Sequence, residues 1–175
     1  MIASITGTPG TGKSSAGKIL ASRGHRIIEL GDFVKEKGLY DSYDEERGSY
    51  NVDPEVLDAA LRKCLAGDPV LLIGHLSHLV TTDLIVVLRC RPSVLARRLE
   101  SRGWGPEKVR ENVEAEALDV ILVESVESSS DVAEIDTTEL TPEEVADAVE
   151  RVLAGEKEKY GVGNVDWSGE VLDWF

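Results

Sequence analysis

The feature that most constrains the fold is a phosphate-binding motif between an apolar run and an amphipathic stretch. Residues 7–14 read GTPGTGKS and satisfy G-x-x-x-x-G-K-[ST] at every position. In such a loop the glycines allow a tight turn whose backbone N–H groups surround phosphate oxygens. The helix that follows directs its positive N-terminal end at the same anion. A chance glycine-rich turn is the alternative, but the position between a strand and a helix favours a nucleoside triphosphate site.

The order of the remaining elements indicates an α/β fold. Short β-branched runs alternate with longer amphipathic stretches, as in a parallel sheet covered by helices. The pattern predicts strands at 1–6, 26–30, 69–74, 84–89 and 131–136. It predicts helices near 12–23, 31–38, 54–66, 93–102, 107–127 and 142–154. The polar segment 37–51, which carries three tyrosines, is expected to form a loop or flap.

The charge balance argues against one class of partner. The chain has 33 Asp and Glu against 19 Lys and Arg, a formal net charge of −14, whereas broad nucleic-acid binding needs a basic face. No apolar run reaches membrane-spanning length, so no membrane association is expected. Cys64 and Cys90 lie far apart without C-x-x-C spacing, which is typical of a reducing compartment. We therefore expect a cytoplasmic protein.

A second substrate site is indicated at the end of the second predicted strand, where residues 29–35 read ELGDFVK. Small nucleotide kinases use a G-D-x-x-R element at this place to seat the phosphate acceptor. Gly31 and Asp32 match that element, and Lys35 stands where arginine is usual. Lysine supplies the charge without the bidentate fork of a guanidinium. The alternative is a helix start in which Asp32 only complements the positive helix end.

Four arginines crowd one short region of this acidic chain, at positions 91, 97, 98 and 102. Phosphoryl transfer spreads negative charge over equatorial oxygens, which positioned arginines stabilise. For Arg97 we expect a solvated helix face paired with nearby glutamates. For Arg98 and Arg102 we expect a functional role.

The third predicted strand ends in 73-IGH-75 and carries no acid, although a nucleotide site usually has a carboxylate there, near a magnesium ion. A histidine after a buried strand is often structural, and this is our interpretation of His78. For His75 the strand-end position, where ligands of parallel sheets bind, favours a function. It would orient the attacking water or sense the γ-phosphate.

The chain resembles the adenylate kinase 6 type, the CINAP-like atypical adenylate kinases. The matching stretches are GTPGTGKSS, the ELGD segment, LYDSYDEE at 39–46, VLRCRPSVLARRLESRGW at 87–104 and EKVRENVEAEALDVI at 107–121. Together they cover most of residues 1–150 in order. The resemblance implies a three-layer P-loop nucleoside monophosphate kinase fold with a five-stranded parallel sheet and a short lid. It implies a kinase domain at 1–155, with an acceptor region at about 29–53 and a lid at about 102–110, followed by a tail at 156–175.

The resemblance also implies an activity: Mg²⁺-dependent transfer of the ATP γ-phosphoryl group to AMP or a similar monophosphate, together with ATPase activity. The expected catalytic residues are Lys13, Arg102 and His75. The expected ATP-binding residues are Gly10, Thr11, Gly12, Lys13, Ser14, Ser15 and Arg102, and Ser14 is also the expected Mg²⁺ ligand. The expected acceptor-binding residues are Gly31, Asp32 and Lys35. Lys13 is expected to be exposed while the site is empty. Members of the family are associated with small ribosomal subunit maturation, and the acidic charge suggests a basic ribosomal protein as partner.

One position departs from the family pattern. The family carries D-x-H at the end of its third strand, and alignment on His75 places Ile73 at the aspartate position. The missing acid is expected to weaken hydrolysis relative to transfer.

Two alternatives to a nucleotide kinase remain: a small-molecule kinase and an ATP-gated assembly factor. In the tail, Trp167, Trp174 and Phe175 are expected to pack back on the domain, with partner docking as the alternative.

Overall fold

A parallel sheet forms the centre of the molecule. The computed structural model describes residues 1–44, 49–65, 67, 69–156, 158–172 and 174. Its strands are β1 (Ile2–Thr6), β2 (Ile27–Glu29), β3 (Ser42–Asp44), β4 (Ser49–Asn51), β5 (Val70–Ile73), β6 (Leu84–Arg89) and β7 (Asp131–Asp136). Five of them form one sheet in the order β2-β5-β1-β6-β7, and every neighbouring pair is parallel. The predicted five-stranded parallel sheet is confirmed.

Helices cover both faces of this sheet. They are α1 (Lys13–Ser22), α2 (Leu30–Lys37), α3 (Pro54–Cys64), α4 (Pro92–Glu100), α5 (Pro106–Ala117), α6 (Val120–Val126), α7 (Pro142–Leu153) and α8 (Ser168–Leu172), with a 3₁₀ turn at Ser77–Leu79. One core joins α1 and α7 to the sheet, and a second joins α2 and α3 to the opposite face. Because both faces are covered, all six residues of β6 are buried.

Two helix starts follow local chemistry that is legible in the sequence. Asp53 accepts a hydrogen bond from the Glu55 amide at 2.8 Å, and proline follows at the first helical position of α3. At α7, Thr141 and Glu144 form a reciprocal capping box with distances of 3.2 and 2.8 Å. Each cap stabilises its helix by about 1 kcal/mol.

The single helix predicted over 107–127 is wrong, because the chain forms two helices there. Asp119 separates α5 from α6 and adopts a left-handed backbone conformation with φ +56°. Its carboxylate accepts a hydrogen bond from the buried guanidinium of Arg89. A tertiary ion pair thus overrides the helical periodicity of this segment.

The segment predicted as a loop or flap contains an antiparallel hairpin of β3 and β4. Tyr43 and Tyr50 are cross-strand partners with ring centroids 5.0 Å apart, and Tyr40 lies 4.5 Å from Tyr50. Aromatic cross-strand pairs of this kind stabilise short hairpins. Residues 45–48, which include the last two residues of LYDSYDEE, lie outside the described residues.

The tail packs on the domain through only some of its aromatic residues. Trp167 and Tyr160 are buried, whereas Trp174 is 45% exposed, so the expectation for Trp174 is wrong. Phe175 lies outside the described residues. The Glu134 amide on β7 donates to the Tyr160 carbonyl at 2.9 Å, which fixes the tail along the sheet edge. Among the described residues, no helix combines the length and apolarity needed to cross a membrane.

Candidate nucleotide and acceptor site

The phosphate loop connects β1 to α1, and its shape depends on glycine at position 10. Gly10 has φ +95°, a conformation that disfavours residues with a side chain. A Cβ there would lie 2.8 Å from Leu95 Cδ1 and 3.0 Å from Leu99 Cδ2, both on α4. The loop therefore packs directly on α4. The first amides of α1 have no intrahelical partner, so the helix end forms an anion site.

Lys13 is half-buried rather than exposed, which corrects the sequence expectation. Its ammonium donates hydrogen bonds to the carbonyls of Gly7 at 2.6 Å and Thr8 at 2.9 Å. Burial lowers its pKa to about 8, Glu116 and Glu29 oppose the lowering, and Arg102 adds to it. The loop thus holds its lysine on backbone oxygens, where an incoming phosphate must compete for the charge.

The loop is braced from outside by three side chains. The Thr8 hydroxyl donates to Glu116 Oε2 at 2.6 Å, and the Thr137 hydroxyl donates to the Thr11 carbonyl at 2.8 Å. The Arg98 guanidinium donates to the Gly10 carbonyl at 3.4 Å, and also to those of residues 137 and 138, both at 3.0 Å. Arg98, expected to act on the transferring group, therefore anchors the backbone around it.

Glu116 belongs to a buried charge cluster that sequence reasoning missed. Its Oε1 accepts hydrogen bonds from Arg89 Nε at 2.8 Å, the Cys90 amide at 3.1 Å and Trp167 Nε1 at 3.1 Å. Arg89 also donates to Glu134 at 2.9 Å. The signal that could have pointed to this cluster is the charge of Arg89 at the end of an apolar strand. A buried ion pair is costly to break, at about 3–5 kcal/mol when one partner is removed.

A cavity of about 200 Å³ adjoins the outer side of the phosphate loop. Five of the predicted ATP-binding residues line it: Gly10, Thr11, Gly12, Ser15 and Arg102. Arg98 contributes to the same wall. Ser14 does not line this cavity but is exposed at the first turn of α1. Arg97 is exposed on the solvent side of α4, as expected, but among the described residues it forms no ion pair with a glutamate.

Ser14 has the chemistry of a magnesium ligand, since Mg²⁺ prefers oxygen donors and keeps several waters when bound beside phosphates. Within the described ranges, no three His, Cys, Asp or Glu side chains form a group able to hold a metal. A hydroxyl beside a nucleotide is a donor set of a different kind, because the phosphates supply the other ligands. The exposed hydroxyl therefore fits the ion that phosphate-loop enzymes use.

A second, larger cavity of about 600 Å³ contains the predicted acceptor residues. Gly31, Asp32 and Lys35 line it from α2, and His75 lines it from the end of β5. The three tyrosines of the hairpin region, at positions 40, 43 and 50, form another part of its lining. The wall thus combines a cation, a carboxylate and a cluster of tilted aromatic rings, groups that together match a small anion attached to a planar ring.

The two histidines after β5 differ in their surroundings. His75 is exposed on the cavity, and partial desolvation together with the charge of Lys13 lowers its pKa, so the imidazole is neutral at pH 7. His78 is buried, with Nδ1 3.0 Å from the Thr6 hydroxyl and Nε2 2.7 Å from Glu124. The structural interpretation of His78 is confirmed.

The comparisons with known proteins agree with this geometry. A family model described as AAA domain matches residues 4–119. A protein of Archaeoglobus fulgidus named "Putative adenylate kinase" is 46% identical, over 99% of this chain and 95% of the relative. A relative with the same name in Thermococcus kodakarensis is 43% identical, over 99% of this chain and 96% of the relative. Another in Methanocaldococcus jannaschii is 41% identical, over 97% of this chain and 94% of the relative. The chain belongs to this adenylate kinase-like family.

The solved structures agree at the level of the fold. Shikimate kinase from Bacteroides thetaiotaomicron superposes with a TM-score of 0.60, covering 88% of this chain and 98% of the kinase at 18% identity. As a member of the adenylate kinase-like family, the chain is a phosphotransferase. Its P-loop, two cavities and parallel sheet are the parts from which such a kinase is built.

Proposed function

We propose that the protein transfers the γ-phosphoryl group of ATP to AMP or a similar nucleoside monophosphate, with Mg²⁺ as its metal cofactor. One observation carries the proposal: the phosphate loop that lines the smaller cavity follows β1, and the larger cavity lies at the end of the neighbouring strand β5, where His75 lines it. Arg102, which lines the smaller cavity, lowers the pKa of Lys13. Lys13 in turn lowers the pKa of His75, which lines the larger cavity. A phosphoryl group held by Lys13 would therefore face an acceptor in the larger cavity.

On the donor side, the loop amides and Lys13 hold the phosphates, and Ser14 ligates Mg²⁺. The ion, when bound, neutralises charge that develops on the phosphate oxygens. Arg102 is exposed at the rim of the smaller cavity, where it can close on the transferring group. Gly10, Thr11, Gly12 and Ser15 shape the wall against the nucleotide.

On the acceptor side, Lys35 binds the monophosphate and Asp32 orients its polar groups. The hairpin tyrosines offer ring faces to the base, since stacking on aromatic side chains is worth about 1–3 kcal/mol per base. No covalent intermediate is needed, because positioning and charge stabilisation account for most of the rate. His75, whose lowered pKa favours the neutral imidazole, orients the attacking water in the accompanying ATP hydrolysis.

The experiment is a coupled assay of ATP with a panel of AMP, dCMP, other monophosphates and unphosphorylated metabolites. We expect AMP or a close analogue to be phosphorylated. Lys35→Ala should raise the KM for the acceptor about tenfold, whereas Lys37→Ala, on the same helix but outside the cavity, should not. ATP binding without transfer to any monophosphate would overturn the proposal. Phosphorylation of an unphosphorylated metabolite alone would establish a small-molecule kinase instead.

We propose the same division of the chain that the resemblance implies. Residues 1–155 would form the kinase domain, with the acceptor region at about 29–53 and the lid at about 102–110. Packing of α4 against α5 supports a small lid unit there.

The two cysteines are unpaired, which is compatible with a reducing cytoplasm as the site of action.

A second candidate is an ATP-gated assembly factor acting on a basic small-subunit ribosomal protein. Exposed apolar residues around α6 support it: Leu118 is 66% exposed, Val123 52% and Val126 51%. The net charge of −14 favours a basic protein over nucleic acid. Binding of basic ribosomal proteins to the immobilised protein, with and without ATP, tests this role. Absent or nucleotide-independent binding would count against it.

A further inference from the structure

The position of the missing strand-end acid is occupied by an apolar side chain that packs against α1. Ile73 is fully buried at the end of β5. It packs against α1 at Gly17, where an added Cβ would lie 2.5 Å from Ile73 Cδ1. This close approach of helix and strand leaves no room for a side chain at Gly17. A carboxylate acting at this edge of the sheet must therefore come from another strand.

Glu29 is the register partner of Ile73 on the adjacent strand β2. Parallel strands end at the same edge of a sheet, so Glu29 stands about 4.8 Å from Ile73 along the hydrogen-bonding direction. Its side chain lies on the same face of the sheet, because Oε1 is 3.5 Å from the Cβ position built on Gly17. The carboxylate thus occupies the α1 face at the strand end, displaced by one strand.

The charge of Glu29 already acts on the phosphate loop. It raises the pKa of Lys13, opposing the lowering caused by burial. Within the part of the chain that the structure describes, the Glu29 carboxylate makes no hydrogen bond or ion pair. It is half-buried, at the sheet edge next to the first turns of α1 that carry Lys13 and Ser14. The carboxylate is thus half-buried and unbonded, and it faces Gly17, which lies about one helical turn after the predicted metal ligand Ser14.

We propose that Glu29 supplies the carboxylate that position 73 lacks, and holds a water of the Mg²⁺ bound at Ser14. This inference rests on the proposed function only in taking Mg²⁺-nucleotide as the ligand. Mg²⁺ keeps several waters, so a carboxylate one strand farther away can act through one of them. The glutamate side chain is one methylene longer than aspartate, which offsets part of the added distance. Groups that orient a metal's ligands change metal affinity by about 10- to 100-fold.

The test is calorimetric binding of ADP, measured once with excess Mg²⁺ and once with EDTA. For Glu29→Gln we expect ADP affinity to fall about tenfold with Mg²⁺. With EDTA it should be unchanged or higher, because a negative charge near the phosphates has been removed. Glu29→Asp should give an intermediate loss, since it keeps the charge but shortens the reach. Glu36→Gln, an exposed acid on α2, is the matched control and should behave as wild type.

A rescue experiment uses the position itself. The double variant Glu29→Gln with Ile73→Asp should recover Mg²⁺-dependent affinity if it folds, because the acid returns to the usual strand end. An equal affinity loss with Mg²⁺ and with EDTA, or no loss at all, would overturn the assignment, whether or not the double variant folds. The outcome is separable from the proposed function: a Mg²⁺-specific loss upholds Glu29 even if no monophosphate is phosphorylated.

Discussion

The indole N–H of Trp167 donates a hydrogen bond to Oε1 of Glu116 at 3.1 Å, although the two residues are 51 positions apart. The other oxygen of the same carboxylate accepts from the Thr8 hydroxyl of the phosphate loop at 2.6 Å. The tail and the phosphate loop thus share one buried carboxylate. Because the groups around a buried carboxylate adjust together, the position of the tail bears on the nucleotide site.

This link predicts that Trp167→Phe weakens nucleotide binding from a distance. Phenylalanine fills most of the space but removes the donor to Glu116, which costs about 1 kcal/mol in stability. We expect the melting temperature to fall by a few degrees and the Kd for ATP to rise about two- to fivefold. The measurements are thermal unfolding and titration calorimetry. Trp174→Phe, at an exposed tryptophan, is the control, and equal effects of both variants would contradict the link.

Lys13→Ala should abolish transfer while the fold remains. Removing a charge that stabilises the transferring phosphates should lower kcat about 10²- to 10³-fold. Stability should change little, because the lost hydrogen bonds to Gly7 and Thr8 are offset by relief of a partly desolvated ammonium. Steady-state kinetics and thermal unfolding measure both effects. Lys18→Ala, exposed on α1, serves as the control. Near-normal turnover in Lys13→Ala would show that the loop is not the catalytic nucleotide site.

Nucleotide binding should depend on pH through Lys13. Burial lowers the pKa of its ammonium to about 8, so above pH 8 the side chain is mostly neutral before nucleotide binds. Bound phosphates favour the charged form and raise this pKa, so binding takes up a proton above pH 8 and none well below it. ADP affinity should therefore fall as pH rises from 8 to 9. Calorimetry in two buffers of different ionisation enthalpy measures the uptake, and its absence at pH 8.5 would refute the assignment.

His75→Ala should reduce residual ATP hydrolysis more than transfer to AMP. Transfer brings its own positioned acceptor, whereas hydrolysis depends on the neutral imidazole to orient a water. We expect the ratio of hydrolysis to transfer to fall about tenfold. His78→Ala should instead destabilise the protein, because it removes a buried side chain and its contacts with Thr6 and Glu124. An unchanged ratio in His75→Ala would make the strand end merely structural.

The two thiols should react at different rates. Cys64 is exposed at the end of α3, whereas Cys90 is buried and burial raises the pKa of its thiol to about 11. Because the thiolate is the nucleophile, Cys90 should be inert at pH 8. A disulfide reagent should label one thiol per native chain and both in denaturant. Cys64→Ser should show no native labelling, and rapid labelling of that variant would mean that the end of β6 opens.

Much of the fold could be predicted because its signals are local. The strand, phosphate loop and helix follow one another within about 22 residues, and their periodicity and glycine spacing are legible without tertiary information. The same holds for Asp53 and Thr141, whose caps depend on the next three residues. The acceptor residues Gly31, Asp32 and Lys35 follow directly after a strand, which brings them together in one cavity.

The remaining features depend on contacts between distant parts of the chain. Thr8 and Glu116 are 108 positions apart, and no period or motif encodes their hydrogen bond. The helix break at Asp119 exists because its carboxylate accepts a hydrogen bond from Arg89, which is buried at the end of β6. Glu29 lies beside Ile73 because of the register between β2 and β5, which the sequence does not encode locally. The sequence by itself determined the elements and the phosphate loop, because those rest on short-range backbone chemistry. Tertiary structure alone decided which buried charges meet, because burial and strand register set their distances and the energy of their pairing.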